Sequence, residues 1–530
     1  MKGVLGAALA MSALAAATPA RAQETHYTVA IGNNAPPSAE RGLAALRYAD
    51  DDAIRYFDVF GRLRGRAWLL TELDANSKRR HVEAAQVARA PTLANLRAAV
   101  SAIAAQIQKD KARGASPVVF LTFSGHAALN EQGEYYLSLR DGELTRAVLY
   151  DEILAPLRDA RVHLIVDSCH AAGVVGVRGA FDHELEGARV QLEPAERDAW
   201  LLRYTPARFP NLGVLVASTE AQEAHEWSQI EAGVFTYEVT SALLGAADVN
   251  GDLRIEYSEV AAFVARANQA LENPNAVPEL LARAPSGNGA VLLDLTQLTR
   301  ALVLTGDPGA LGKFYVELSD GERWLEAHLP NGGRMVLALP LRAGSYLRSG
   351  EREAEIPLTS SGVVALESLR FVPGGVGTRG SLARALQRGL FAEPFGAAYY
   401  RQFVAASELP EVRFGAPPRA LPVLAMGSGD RVVQTSAAPA IAFGVGAGLA
   451  TAVALTSGAL ALHSYAEFKA ESRQREATEL RSDVTRYRNV ALVAGALGVV
   501  AGAGAWLTWP ASKRTRVAAS GASFYFVQQF

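Results

Sequence analysis

Two stretches, VVFLTFSGHA (118–127) and VHLIVDSCHAAG (162–173), decide how this chain folds. Each begins with a continuously apolar run, which is typical of a strand covered on both faces of a sheet. The first run ends in His126, and the second ends in Asp167 and Cys169. Because ligands and reactive side chains gather at the carboxyl ends of parallel strands, we expect the imidazole and the thiol to meet at one edge.

The sequence around these stretches alternates strand and helix patterns from residue 25 to residue 290. Further strand-like runs are HYTVAIG (26–32), RAWLLTEL (66–73), EYYLSL (134–139) and LGVLVAST (212–219). Helical patterns cover 43–63, 92–111, 148–159, 232–245 and 256–272. Strands separated by helices predict an α/β domain, with a mostly parallel sheet flanked by helices.

A different pattern follows this domain. Residues 300–372 alternate polar and apolar residues between Gly, Pro and Asn/Asp turns, which predicts a small β-sandwich-like module that serves as a spacer or binding module. Residues 378–437 are predicted as a helix (378–408) followed by a linker.

Composition excludes several classes of protein. A hydrophobic share of 49% with 20% charged residues argues against a disordered chain of 530 residues. The 52 basic and 54 acidic residues nearly cancel, so we expect no nucleic-acid partner. The only cysteine, Cys169, excludes an intramolecular disulfide and a multi-cysteine zinc site.

The two ends of the chain carry targeting signals. Residues 1–22 combine Lys2, an Ala/Leu-rich run and a small-x-small ending, which predicts a cleaved signal peptide rather than an uncleaved anchor.

Two stretches near the other end predict a transmembrane helical hairpin. Residues 440–462 and 490–509 are uncharged, long enough to span a bilayer, and carry GxxxG pairs. Buried soluble helices are the alternative reading. The linker 463–489 has six Lys/Arg, which places it in the cytoplasm. The tail 510–530 and the α/β domain then face the periplasm of a host with two membranes.

The thiol and the imidazole suggest nucleophilic chemistry. A thiol attacks as thiolate, and an adjacent imidazole lowers its pKa. Backbone N–H groups near Ala127 and Cys169 would hold the oxyanion. Taken singly, each residue has another interpretation. Cys169 could be a buried packing residue, and His126 could be a histidine at a strand end that is hydrogen-bonded to a carbonyl.

Together, SGHA (124–127) and DSCHAAG (167–173) resemble the caspase–metacaspase superfamily of cysteine peptidases, with prokaryotic caspase-like proteins as the best match. The resemblance covers about residues 25–290 and includes LRYADDDA (46–53) and GVFTYEVTSALLGAAD (233–248). It implies a caspase-hemoglobinase fold and peptide hydrolysis by a Cys169–His126 dyad. The family usually has Gly where this chain has Ala127, whose Cβ would narrow the oxyanion pocket.

The resemblance also implies a preference for basic P1 residues. Metacaspase-like enzymes place acids at the positions of Asp167 and Asp52, and such carboxylates would bind Arg or Lys. The alternative is that Asp50, Asp51 and Asp52 only stabilise the start of a helix.

An EF-hand-like loop, DVNGDLRIEYSE (248–259), lies near the end of the domain. Its calcium ligands would be Asp248, Asn250, Asp252, Glu259 and the carbonyl of Arg254, with Glu256 at position 9. Leu253 stands where the loop requires Gly, so a structural turn is the alternative to calcium binding. The peptidase chemistry itself requires no cofactor.

The sequence therefore predicts an exported, membrane-tethered cysteine endopeptidase that acts on a protein or peptide substrate. Its main rival is a catalytically inactive pseudo-peptidase that acts as an anchored scaffold. A redox sensor is a weaker alternative, because the chain lacks a resolving cysteine. The sequence predicts no oligomeric state.

Overall fold

The computed structural model describes residues 23–37, 44–176, 200–218, 226–271, 279–287, 290–359, 362–374 and 389–415, and the strands 429–430, 515–520 and 523–528. These residues fall in two compact units, one up to Met426 and one from Gly427. The predicted signal peptide, both predicted spans and the linker 463–489 lie outside the described residues. No helix within the described part of the chain is long and apolar enough to cross a membrane.

Thirteen strands lie between residues 24 and 294 of the described chain. They are β1 (Glu24–Asn33), β2 (Gly65–Thr71), β3 (Ser116–Gly125), β4 (Ala127–Leu129), β5 (Tyr135–Ser138), β6 (Glu143–Thr145), β7 (Arg161–Asp167), β8 (Leu212–Ser218), β9 (Glu226–Trp227), β10 (Ala232–Gly233), β11 (Arg254–Glu256), β12 (Glu279–Arg283) and β13 (Val291–Asp294). Six of them form the main sheet in the order β12-β8-β7-β3-β1-β2. All neighbours in it are parallel except β12, which is antiparallel to β8.

The helices of the described chain are α1 (Ala49–Phe60), α2 (Ala75–Arg80), α3 (Val82–Val87), α4 (Leu93–Ala112), α5 (Arg146–Val148), α6 (Ala171–Val175), α7 (Val234–Ser241), α8 (Tyr257–Asn268) and α9 (Ala397–Ala405). Wider turns extend α5 and α7, over Leu149–Leu154 and Ala242–Ala246. Thr92 caps α4 by accepting the N–H of Asn95 at 3.1 Å, and Thr is among the residues preferred at this position.

Alternate residues of β3 feed two separate cores, which explains its continuously apolar sequence. Val119 and Leu121 pack with Ile103 of α4 on one face. Val118 and Phe120 pack with α1 on the other face. The sheet is therefore covered on both sides, as the apolar runs predict.

Three sequence predictions differ from the structure. The run 134–139 does not join the main sheet, because β5 pairs with β4 and β6 in a separate antiparallel sheet. The helix expected over 43–63 begins only at Ala49 and ends before Gly61. In the described part of 378–408 the regular helix is α9, because Pro394 lacks an N–H donor and Gly396 is extended at φ −156°.

Residues 301–373 form eight short strands in two sheets. They are β14 (Ala301–Gly306), β15 (Lys313–Glu317), β16 (Arg323–His328), β17 (Met335–Pro340), β18 (Ser345–Ser349), β19 (Arg352–Ile356), β20 (Val363–Ala365) and β21 (Val372–Pro373). The sheet orders are β17-β14-β20 and β16-β15-β18-β19-β21, and the pairings are antiparallel except that of β14 with β20. We call residues 301–373 the β module.

The second unit contains a three-stranded sheet in its described residues. Its strands are β22 (Gly429–Asp430), β23 (Thr515–Ser520) and β24 (Ser523–Gln528). β23 pairs antiparallel with both of its neighbours. The predicted C-terminal tail therefore contains a β-hairpin that the sequence analysis did not anticipate.

Candidate active site

His126 and Cys169 follow neighbouring strands of the main sheet. In the parallel pair of β3 and β7, Ser124 lies opposite Asp167. His126 and Cys169 each come two residues later, and adjacent strands lie about 4.8 Å apart. The register thus places residues 126 and 169 just beyond neighbouring strand ends at the carboxyl edge of the sheet.

A backbone carbonyl orients the imidazole. Nε2 of His126 lies 3.0 Å from the carbonyl oxygen of Ala44. Because a carbonyl only accepts hydrogen bonds, Nε2 donates, and Nδ1 keeps the lone pair that a general base needs. Burial lowers the pKa of His126, and the bond to Ala44 partly offsets this by raising it. The imidazole is therefore neutral at pH 7 and able to accept a thiol proton.

A packed turn follows the thiol. Cys169 forms no disulfide and is partly exposed. His170 adopts a left-handed φ of 54°, and its ring stacks on Tyr135 with the centroids 5.4 Å apart. A Cβ on Gly173 would lie 2.5 Å from the same tyrosine ring, so only glycine fits there. Tyr135 thereby fixes the path of the chain on leaving Cys169.

The N–H of Ala127 is directed away from the β4–β5 ladder. Ser138 N donates to His126 O at 2.8 Å, so these two residues form a hydrogen-bonded antiparallel pair. Such pairs alternate with non-hydrogen-bonded ones, and Ala127 lies opposite Leu137 in the next pair. This N–H is consequently not used by β5, as the predicted oxyanion role requires.

Asp52 and Asp167 lie against the same glycine. A Cβ on Gly233 would lie 2.7 Å from Oδ2 of Asp167 and 2.9 Å from Oδ2 of Asp52. The N–H of Gly233 donates to Oδ1 of Asp52 at 2.9 Å. The two predicted P1 acids, which are far apart in sequence, are therefore close neighbours in the fold.

Hydroxyl and amide donors satisfy this acid pair. Ser124 Oγ donates to Asp52 at 2.7 Å, and Thr236 donates to Asp167 through its N–H at 3.1 Å and its Oγ1 at 2.7 Å. Burial raises the pKa of Asp52 well above its usual value, and the nearby charge of Asp167 raises it further. The pair thus favours a shared proton or a bound cation.

The neighbouring acids of α1 have other contacts. Asp50 accepts hydrogen bonds from Asn34 Nδ2 at 2.7 Å and from the N–H of Asp74 at 3.0 Å. Asp51 Oδ1 lies 3.5 Å from His81 Nε2. Only Asp52 of the three contacts Gly233 and Ser124 in this way.

Sequence reasoning missed four residues of this region. Ser124, Gly233 and Thr236 support the acid pair, and Glu226 of β9 binds the segment that carries Ala44. The stretch GVFT (233–236) was recognised only as part of the resemblance, without a role. These hydrogen bonds join segments that are far apart in sequence, so a local sequence pattern does not predict them.

The EF-hand-like loop is closed by its own side chains. Asp248 accepts the N–H groups of Gly251, Asp252 and Leu253 at 2.8–3.1 Å. Glu259 accepts the N–H groups of Val249 and Glu256, the latter as part of a capping box on α8. Leu253 adopts the left-handed φ of 65° that its position requires.

These contacts are those of a structural turn. The side chains of Asn250 and Asp252 accept N–H groups within the loop, from Asp252 and Arg254 respectively. Burial raises the pKa of Asp248 to about 6. Among the described residues, no group of three His, Cys, Asp or Glu side chains is arranged to hold a metal ion. Calcium binding by Asp248, Asn250, Asp252, Arg254 and Glu259 stays a prediction.

A cavity of about 680 Å³ opens beside the segment that carries Ala44. Residues 45–48 form one wall, and the rest of the lining includes the acidic residues Asp51, Glu72, Asp74 and Glu231. The cavity therefore has several carboxylates in its wall.

A thiol and an imidazole thus follow adjacent strands of a doubly covered α/β sheet. A family model for the caspase domain matches residues 25–284. Those residues belong to the caspase-like cysteine peptidase superfamily. No curated protein matches the chain. Among solved structures, a protein from Geobacter sulfurreducens is 19% identical over 51% of this chain and 98% of its own, with a TM-score of 0.30. At that TM-score the likeness bears on neither fold nor function.

Proposed function

We propose that the chain is a cysteine endopeptidase whose nucleophile is Cys169. The observation that carries this is the register of β3 and β7, which brings His126 and Cys169 to neighbouring strand ends. Nδ1 of His126 accepts the thiol proton, and the thiolate attacks the peptide carbonyl. His126 then gives that proton to the leaving amine, which leaves the acyl group bound to Cys169 as a thioester. A water molecule hydrolyses this thioester, with His126 again as the base.

The oxyanion of each tetrahedral intermediate would accept hydrogen bonds from the N–H groups of Ala127 and Cys169. The direction of the Ala127 N–H, away from β5, supports this role. Fixed donors of this kind stabilise charge that develops only in the transition state. Ala127 is buried in the core beside the sheet, and its Cβ, where the family usually has Gly, would narrow the proposed pocket.

The acid pair supports a preference for basic P1 residues. Asp52 is buried, and its pKa is raised by burial and by Asp167, so a cation beside the pair would relieve an unfavourable charge. An arginine side chain can meet carboxylates through two parallel hydrogen bonds. We therefore propose that the pair Asp52–Asp167 recognises Arg or Lys at P1.

Partial exposure of Cys169 favours the enzyme over the scaffold. An inactive pseudo-peptidase has no need of an accessible thiol, whereas a nucleophile must reach its substrate. The test is turnover of an Arg-P1 peptide reporter by the wild type and by Cys169→Ala. We expect the substitution to abolish turnover and leave the thermal midpoint nearly unchanged, because one small side chain replaces another. Equal turnover by both chains would refute the proposal that Cys169 is the nucleophile of a peptidase.

We also propose that the chain is exported and tethered through residues 440–462 and 490–509. The pairing of β22, before these stretches, with β23, after them, supports the topology, because paired strands must lie on one side of a membrane. Full-length chain should require detergent for extraction, whereas residues 1–435 should be released into the soluble fraction. Recovery of the full-length chain without detergent would contradict the tether.

A further inference from the structure

Glu226 holds two consecutive backbone amides on another part of the chain. Its Oε1 accepts the N–H groups of Arg47 and Tyr48, both at 2.8 Å, and its Oε2 lies 3.1 Å from the N–H of Arg47. The carboxylate is half-buried on β9, far from this segment in sequence. Residues 44–48 precede the first turn of α1, so the N–H groups of Arg47 and Tyr48 have no acceptor within a helix.

The segment bound by Glu226 is the one that orients the imidazole. Ala44, whose carbonyl accepts the hydrogen bond from His126 Nε2, lies three residues before Arg47. On its other side the segment is attached to the end of β1, where Leu46 N donates to Asn34 O at 2.9 Å. The position of the Ala44 carbonyl therefore depends on how this segment is held, and Glu226 is the anchor that comes from a distant part of the chain.

We propose that Glu226 is a positioning residue for catalysis, which fixes the Ala44–Tyr48 segment so that the Ala44 carbonyl keeps His126 in its Nε2–H form. Glu226 does not touch the substrate in this role. It binds the amides of Arg47 and Tyr48, which fix the carbonyl of Ala44, and so determines the basicity and orientation of Nδ1 of His126. The inference rests on the proposed function, since it assigns His126 as the base that accepts the proton of Cys169.

The role predicts different results for two substitutions. In Glu226→Gln the amide oxygen can still accept both N–H groups, so the segment stays in place. In Glu226→Ala the segment loses this anchor, and His126 loses the bond that raises the pKa of its imidazole. A less basic and poorly oriented imidazole withdraws the thiol proton less well, so kcat falls while KM changes little.

The full chain supplies a readout that does not require turnover. Cys169 is its only cysteine, so the rate of alkylation by iodoacetamide reports the thiolate fraction at this residue alone. We expect Glu226→Ala to lower both the kcat on an Arg-P1 reporter and the alkylation rate at neutral pH. The decrease in kcat should be roughly 10- to 100-fold, because part of the contribution of a positioned general base is lost. In Glu226→Gln, kcat and the alkylation rate should stay within about threefold of the wild type, because the base keeps its position.

The matched control is Glu367→Ala, which removes a carboxylate that accepts a backbone N–H, from Asp307 at 3.2 Å, in the β module. It should change neither measurement. Circular dichroism and the thermal midpoint establish that each variant is folded. Should Glu226→Ala be unfolded, Glu226→Asp serves instead, because its shorter side chain cannot reach both amides and should lower both rates.

Two failures are distinguishable. If the wild type cleaves no peptide, the proposed function fails, while the alkylation rate still reports on Glu226. If Glu226→Ala is folded and matches the wild type in both kcat and alkylation rate, the positioning role is wrong. If Glu226→Gln is as impaired as Glu226→Ala, the acceptor role is equally wrong.

Discussion

At the scale of single residues, the acid pair shows what sequence spacing reveals and what it omits. Asp167 could be assigned because it precedes Cys169 by two positions, and Asp52 because it matches a motif of the resemblance. Gly233 and Ser124 could not, because their hydrogen bonds to Asp52 join residues 72 or more positions apart. Their hydrogen bonds lower the pKa of Asp52 and oppose the larger effects of burial and of the Asp167 charge, which raise it.

The raised pKa of Asp52 predicts a pH dependence of substrate binding. Below that pKa the pair carries one charge fewer, so KM for an Arg-P1 reporter should fall as pH rises through it. Ser124→Ala removes a hydrogen bond that lowers this pKa, so the change in KM should move to higher pH. Asp52→Asn should abolish the change. A norleucine-P1 reporter is the control, and the same pH dependence for both reporters would show that the pair does not bind the P1 side chain.

At the scale of elements, a row of aromatic rings crosses one face of the main sheet. Phe60 of α1 stacks on Phe120 of β3 at 4.0 Å between centroids. Phe120 stacks on His163 of β7 at 5.1 Å, and His163 lies 5.8 Å from Tyr257 of α8. Nδ1 of His163 is 2.7 Å from the hydroxyl of Tyr257. The row connects two helices through two strands and contains one imidazole.

Burial lowers the pKa of His163 well below its ordinary value of 6.5. Since the folded-state pKa is depressed, its contribution to stability is fully present above the unfolded-state pKa and is lost as pH falls below about 6.5. Urea unfolding should therefore show a free energy that decreases from neutral to mildly acidic pH. In His163→Phe, which keeps the ring and cannot titrate, this decrease should be smaller. An identical decrease in both chains would show that His163 does not contribute.

Most elements of the α/β region could be predicted from the sequence, since buried parallel strands are continuously apolar and α4 carries a capping signal. The short helices α2 and α3 could not, because six residues are too few for a periodic pattern. The separate sheet of β4, β5 and β6 was also missed. An apolar run indicates a strand but does not indicate which sheet it joins.

At the scale of the whole molecule, the β module and the caspase domain share one core. A single cluster of buried residues includes Phe60 of α1, Phe235 of α7, and Leu302 and Trp324 of the β module. Arg55 of α1, 1% exposed, pairs with Glu322 at 3.0 Å. Its guanidinium also donates to the backbone carbonyls of Ile230, Arg323 and Trp324, at 2.9, 2.8 and 3.3 Å respectively. The sequence predicts a spacer or binding module, and these contacts show that the module also packs into the core of the caspase domain.

This arrangement predicts that the two regions unfold together in one transition. Glu322→Ala leaves the Arg55 charge buried without its carboxylate, which should cost about 3 kcal/mol, the lower end for a broken buried pair because the carbonyls remain. Glu152→Ala, which breaks an exposed pair with Arg97, is the control and should leave the midpoint nearly unchanged. Two separate transitions, or equal midpoints for both variants, would contradict the shared core.

The central claim is that His126 activates Cys169 for attack on a substrate. Its most direct test is covalent labelling by a peptidyl-arginine electrophile, followed by intact and peptide mass spectrometry, with iodoacetamide as a control for accessibility of the thiol. We expect one adduct, located on Cys169, that forms rapidly in the wild type and far more slowly in His126→Ala. Absence of the adduct while iodoacetamide still reacts, or equal labelling rates in the two chains, would contradict the claim.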